Sequence, residues 1–285
     1  MKGENNIVDK MASLQELFKS TKLFVEGRPE LSSVIEFINE QAEEEFISIA
    51  YEAAAMVLAL QDLEKGTTLD TWRDFLDNYA HQHAVQIYIG LGWACGQNRL
   101  DPMLWIPTLT PLFTWRIWDG YGYYNGFFRK RKVLQGDVPE TITKKGLPLY
   151  WQGVGRSFWY TCKGNRTQLQ KVSTKIPSNY QADFWRGIGI ACTYVGGQKL
   201  TDYQEIWEMA GAYQAQLRTG AALVIKSRSD ANTIVKDTEI IAQNWFNLSI
   251  LKILDLLKNK MLDSTVEEEV IYHTLIVKLD ERFDY

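Results

Sequence analysis

The sequence predicts an all-α fold of stacked helical hairpins, and three observations carry that prediction. Small residues recur in closely spaced pairs along most of the chain, an aromatic residue precedes most of the pairs, and strand signals are weak throughout. The pairs are Ala53/Ala55, Gly90/Gly92, Gly120/Gly122, Gly153/Gly155, Gly187/Gly189 and Gly220/Ala222, whose first members lie 37, 30, 33, 34 and 33 residues apart. Two positions before five of them stand Tyr51, Tyr88, Trp118, Trp151 and Trp185, with Arg218 at the sixth.

A period of about 34 residues suits a helix-turn-helix repeat of the tetratricopeptide or α-solenoid kind, although the W-x-x-L-G-x-x-Y signature is missing. In a helix, residues two apart point to nearly opposite flanks at roughly 100° per residue. A pair of glycines there lets one neighbour approach from each side, and close packing must offset the roughly 1 kcal/mol that each glycine costs against alanine. The pairs therefore mark buried inner helices.

The intervening stretches supply partner helices and turns. T-L-D-T-W-R-D-F-L-D-N-Y places Leu69, Trp72, Phe75, Leu76 and Tyr79 at spacings of three and four, one apolar face. Prolines 102, 107, 111, 148 and 177 fall where helices start or turns belong. Residues 1–40 and 245–285 look helical but outside the repeat register, as caps on an array spanning 45–244. The expectation is one domain, 1–285.

Composition excludes several functions. With a formal net charge of -4, bulk charge gives no reason to expect nucleic-acid binding. The N-terminus has no apolar signal core, and no apolar run approaches the roughly 20 residues of a membrane span, so the chain reads as soluble and cytoplasmic. Cys95, Cys162 and Cys192 are dispersed and read as buried thiols. His81 and His83 lie two apart, a poor metal pair on a helix, and His273 is remote; neither a metal nor a cofactor is implied. G-Y-G-Y-Y-N-G lacks the preceding strand and third glycine of a dinucleotide loop, and no G-x-S-x-G elbow or D-D-x-x-D diphosphate motif occurs. Arg129 to Lys132 read as a solvated helix end, with a peripheral membrane contact through Phe127 and Phe128 as the alternative. A homo-oligomer stays open.

Equivalent positions of a repeat point in similar directions, so the residue just before each first small residue forms a column: Glu52, Ile89, Asp119, Gln152, Arg186 and Thr219. The column has two readings: hydrogen bonds and ion pairs tying repeats together, or a polar row in an aromatic-walled cavity. A buried carboxylate there would have a displaced pKa unless Arg156 or Arg186 pairs with it. On the second reading Asp119, Glu52 and His83 are candidate catalytic groups, and Gln152, Arg156 and Arg186 would contact substrate together with Tyr51, Tyr88, Trp118, Tyr123, Tyr124, Trp151 and Trp185.

The segments Y-E-A-A-A-M-V-L-A-L-Q-D, H-A-V-Q-I-Y-I-G-L-G-W-A, D-G-Y-G-Y-Y-N-G-F-F, Q-G-V-G-R-S-F-W, D-F-W-R-G-I-G-I-A-C-T-Y-V-G-G and T-G-A-A-L-V-I-K-S-R resemble, in this order, a bacterial domain-of-unknown-function family, number 1702, often encoded with enediyne polyketide synthases. The resemblance covers roughly residues 45 to 245. It implies a role in specialised metabolism on an apolar, conjugated or polyketide-like molecule, without supplying a mechanism. Glu52, His83, Asp119, Gln152 and Arg156 stand where the family's pattern carries polar residues; Tyr124 stands where the family favours histidine, and Trp151 where it often has a carboxylate. Three functions follow for test: an acid–base cyclase or isomerase acting on a polyene or isoprenoid-like substrate, a non-catalytic carrier or chaperone of a hydrophobic intermediate, and a helical protein-binding scaffold.

Overall fold

The computed structural model describes residues 6–66, 68–261, 277, 279–281 and 283; residues 1–5 and His273 lie outside them. Among the described residues the fold is all-α, with no strand. In chain order the helices are α1 (Ile7–Glu26), α2 (Leu31–Gln41), α3 (Ile47–Lys65), α4 (Asp70–Asp74), α5 (Ala84–Asn98), α6 (Pro111–Phe128) and α7 (Lys130–Leu134). They continue as α8 (Leu147–Thr161), α9 (Arg166–Ser173), α10 (Gln181–Val195), α11 (Leu200–Ala210), α12 (Gln214–Asp230), α13 (Lys236–Ile241) and α14 (Ile250–Met261).

Local chemistry explains where these helices begin. Asn6 caps α1 by accepting from the amides of Val8 and Asp9 at 2.9 and 3.1 Å, and Asn165 caps α9 through the amide of Gln168 at 3.0 Å. Pro111 and Pro148 sit in the first turns of α6 and α8, where no amide donor is needed. In the connection from α3 to α5, Leu69, Trp72, Phe75 and Leu76 are buried, whereas Tyr79, expected on the same apolar face, is exposed.

The paired small residues lie on α3, α5, α6, α8, α10 and α12, which pack side by side in chain order, each against the next. A Cβ added at Gly90, Gly120, Gly153, Gly187 or Gly220 would run into the carbonyl of Glu52, Ile89, Asp119, Gln152 or Arg186 on the preceding helix. A Cβ at Gly92, Gly122, Gly155 or Gly189 would run into the carbonyl of Ile117, Tyr150, Phe184 or Leu217 on the following one. The first glycine thus admits the helix behind and the second the helix ahead. Neighbouring inner helices run parallel, since Gly122 meets Tyr150 while Gly126, four residues later, meets Ser157 and Val154.

The segments between inner helices are unequal. Those after α8 and α10 carry α9 and α11, but the stretch from α5 to α6 holds only the short turns Pro102–Leu104 and Ile106–Thr108. The architecture is a continuous layer of parallel inner helices with an uneven outer layer.

The row also closes on itself. Arg228, near the end of α12 and 1% exposed, donates to the carbonyls of Glu45, just before α3, and of Tyr194, near the end of α10, at 3.1 and 2.8 Å. A third donation goes to the Thr233 carbonyl at 2.8 Å, so the buried cation rests on three backbone carbonyls, of which that of Tyr194 lies at the C-terminal end of α10, where the helix dipole is negative. The start of the first inner helix thus meets the end of the last, which a flat ring of parallel helices would not permit. The helices climb as they turn about a common axis.

By length and mean hydropathy the segment Glu44–Lys65 is apolar enough to cross a membrane, which corrects the expectation that no apolar run is that long, yet 78% of its most apolar window is buried inside the fold. Its apolarity is accounted for by α1 on one side and α5 on the other.

Candidate functional site

The climb decides which side chains meet on the axis. With the first small residue of each inner helix as position zero, positions −4, −1, +3 and +7 fall on one face. The first three inner helices line a central cavity with the early part of that face, through Ile49, Glu52, Gln86, Ile89 and Arg116. The last three line it with the later part, through Arg156 and Tyr160, Ile190 and Tyr194, and Leu223 and Ser227. The offset between the two sets is roughly two turns, about 11 Å of helix rise. The side chains leave about 30 Å³ of space for water, room for about two molecules.

Beside this cavity four of the expected site residues converge. Gln152 donates to Asp119 Oδ2 at 2.6 Å, and Arg156 donates through Nη1 to Asp119 Oδ1. Both oxygens of this fully buried carboxylate are engaged. Arg156 Nη2 lies 4.0 Å from Glu52 Oε2, so the guanidinium of α8 bridges carboxylates from α6 and α3. Burial works against the Arg156 charge, but Asp119 and Glu52 more than offset it and its pKa rises.

Glu52 is placed differently. It is 2% exposed and its Oε2 makes no hydrogen bond. Its pKa is pushed up to about 7, chiefly by burial; Arg156 pulls it down, Asp119 pushes it up, and the Trp93 indole pulls it down. A proton can therefore occupy or leave Glu52 near neutral pH, whereas both Asp119 oxygens are committed to donors.

Aromatic rings adjoin this centre, but mostly not the expected ones. The Tyr123 ring lies 5.0 Å from the Arg156 guanidinium, 4.8 Å from Trp93 and 5.8 Å from Tyr160. Burial drives the phenol pKa values of Tyr123 and Tyr160 upward and lifts Tyr194 to about 12. The five aromatics two positions before the small-residue pairs do not line the cavity. Tyr51 stacks on His83 at 4.0 Å, Tyr88 meets Trp72 edge-on at 5.2 Å, and Trp151 stacks on Tyr180 at 5.3 Å. Trp118 packs on Gly146, and Trp185 meets Phe184 edge-on at 6.1 Å. One residue of displacement along a helix turns a side chain by about 100°, which carries these rings off the axial face. Tyr124 likewise sits off the cavity, edge-on to Trp93 at 5.9 Å.

His83 does not line the cavity. Its Nδ1 lies 3.0 Å from Ser48 Oγ, one turn before Glu52, and burial, with a smaller push from His81, lowers its pKa to about 4. Arg186 joins a second cluster: its Nη1 donates to Asp183 at 2.7 Å and its Nη2 to Asp280 at 2.8 Å. Phe127 is half-buried against Tyr123, while Phe128 is 58% exposed. Among the described residues, no group of three or more His, Cys, Asp or Glu side chains is arranged to hold a metal ion, and all three cysteines are buried thiols.

Sequence reasoning missed Arg116, Trp93, Tyr160 and Tyr194. Each stands at −4, +3 or +7 of the register, so extending the column by helical turns in both directions would have found them.

A family model described as a protein of unknown function (DUF1702) matches residues 24–276. The chain belongs to that family. No curated protein and no solved structure matches it. The match takes in all six inner helices and hence the whole axial face, while most of α1 precedes it and Asp280 follows it.

Proposed function

We propose that this DUF1702 chain handles a hydrophobic small molecule at the Glu52–Arg156 centre, with Glu52 as general acid or base in a cyclisation or isomerisation. The supporting observation is Glu52 itself: a buried carboxyl facing the axial cavity, one oxygen without a hydrogen bond, its pKa near 7. Such a group donates a proton at neutral pH and takes one back. Asp119 and Gln152 hold the Arg156 guanidinium in place, and the faces of Tyr123 and Trp93 would stabilise positive charge developing on a substrate. The resemblance of the glycine segments to proteins encoded with enediyne polyketide synthases supports a conjugated or polyketide-like substrate in specialised metabolism.

The cavity has room for only about two waters, so a polyketide-sized substrate must part the side chains around Tyr123 and Tyr160 to reach Glu52. The full satisfaction of Asp119 favours a second reading, a carrier in which the polar centre only anchors a ligand.

One comparison separates the two. Wild type and Glu52→Gln, purified from the native host, are analysed by mass spectrometry for co-purifying small molecules and then incubated with the compound recovered. Conversion by wild type with loss of more than a hundredfold in Glu52→Gln is the expected result. Equal binding with no conversion by either protein would replace the enzyme with the carrier, and no bound compound in either would remove both.

A further inference from the structure

At the opposite end of the axial face from Glu52, positions −4 and −1 of the last two inner helices converge on a carboxylate supplied by the chain itself. Arg186 Nη2 and Gln216 Nε2 donate to Asp280 Oδ2 at 2.8 and 3.2 Å, and Thr219 Oγ1 donates to Asp280 Oδ1 at 2.5 Å. Arg186 and Thr219 are buried, and Asp183 holds the other guanidinium nitrogen at 2.7 Å, which fixes the fork before any carboxylate arrives. We propose that Arg186, Gln216 and Thr219 form a binding site for an organic carboxylate, which Asp280 fills in the unliganded chain.

Three observations carry this. The donors sit on the same helical face that lines the axial cavity: Arg186 and Thr219 at the register position that Glu52, Asp119 and Gln152 occupy on the earlier helices, and Gln216 one turn before it. The donors fall inside the family match, residues 24–276, and their occupant falls beyond it. The plug is held by a short segment: Leu279 and Phe283 are buried, and the Phe283 carbonyl accepts from Arg218 Nη1 at 2.6 Å. Docking of such a segment is a local equilibrium, and a competing carboxylate displaces it by mass action. The proposal does not require Glu52 to do chemistry.

The test uses the full chain carrying 4-fluorophenylalanine at position 283, with the fluorine signal reporting segment release. Sodium hexanoate is the probe, and hexanamide and sodium chloride are the controls. Hexanoate should move the signal saturably toward its position in Asp280→Asn, and in titration calorimetry Asp280→Ala should bind hexanoate at least about tenfold more tightly than wild type because no plug competes. Arg186→Gln, or Thr219→Val if the former does not fold, should abolish the response, while Glu52→Gln should leave it unchanged. A response equal to that of chloride or hexanamide, one that survives loss of Arg186 and Thr219, or equal affinity in wild type and Asp280→Ala would overturn the proposal.

Discussion

Glu52, Asp119 and Gln152 occupy the same register position as Arg186 and Thr219, one residue before the first small residue of their helices, yet the two sets meet different partners. The first set gathers around Arg156 beside the axial cavity; the second gathers around a carboxylate from the far end of the chain. What separates them is the climb of the helices about the axis. On α3 the cavity is reached at −4 and −1, by Ile49 and Glu52, and on α10 at +3 and +7, by Ile190 and Tyr194, so position −1 of α10 lies roughly a turn or more away from it. Equivalence in a repeat fixes direction relative to the local helix and leaves height along the axis free.

The sharpest way to break this comparison is to remove one arginine partner from each cluster. Asp119→Asn leaves the buried Arg156 facing only Glu52 at 4.0 Å, and should cost about 4 kcal/mol in urea unfolding, since an uncompensated buried charge is the penalty. It should also draw the Glu52 midpoint down, because Asp119 now raises it.

The glycine contacts, by contrast, are the same in both halves. Gly153→Ala and Gly220→Ala each drive a Cβ into a neighbouring carbonyl, Asp119 or Arg186, and each should cost about 3 kcal/mol by thermal or urea unfolding. Gly66→Ala, with nothing within 4 Å, should stay within about 0.5 kcal/mol. Unequal costs at 153 and 220 would mean that the two halves are packed by different rules.

Glu52 sharpens the comparison through pH. Its folded pKa of about 7 exceeds the ordinary 4.5, so between these values the folded state holds more protons and stability falls as pH rises. Glu52→Gln should therefore gain up to about 3 kcal/mol over wild type at pH 8 and almost nothing at pH 4. A difference infrared titration of the carboxyl stretch, wild type minus Glu52→Gln, should show the midpoint near 7.

The smallest effect belongs to the second cluster. Asp280 is partly solvated, and Arg186 keeps Asp183 when Asp280 is changed, so Asp280→Asn should lower stability by only about 1 kcal/mol in the same urea assay.

Much of the inner layer was legible from glycine alone. Residues two apart flank a helix on opposite sides, and the carbonyls that abut Gly153 and Gly155 come from the helices behind and ahead. Of the candidate site, the carboxylates and Arg156 were legible because polar residues inside apolar helices need partners. The aromatic wall was not: Tyr51, Tyr88, Trp118, Trp151 and Trp185 are conspicuous in the sequence but stand one residue off the axial face. Trp93 and Tyr123 stand on it at +3 and Tyr160 and Tyr194 at +7, positions reached only by extending the column along each helix.

The amino-acid order by itself determined the helices, their close parallel contacts and the face that each turns inward, since these depend on spacing within a single helix. Tertiary structure alone decided that the row closes through Arg228, that Arg156 rather than Arg186 reaches Glu52, and that Asp280 fills the second cluster. Those outcomes depend on the rise from each helix to the next, a sum of small packing offsets that no single stretch of sequence encodes.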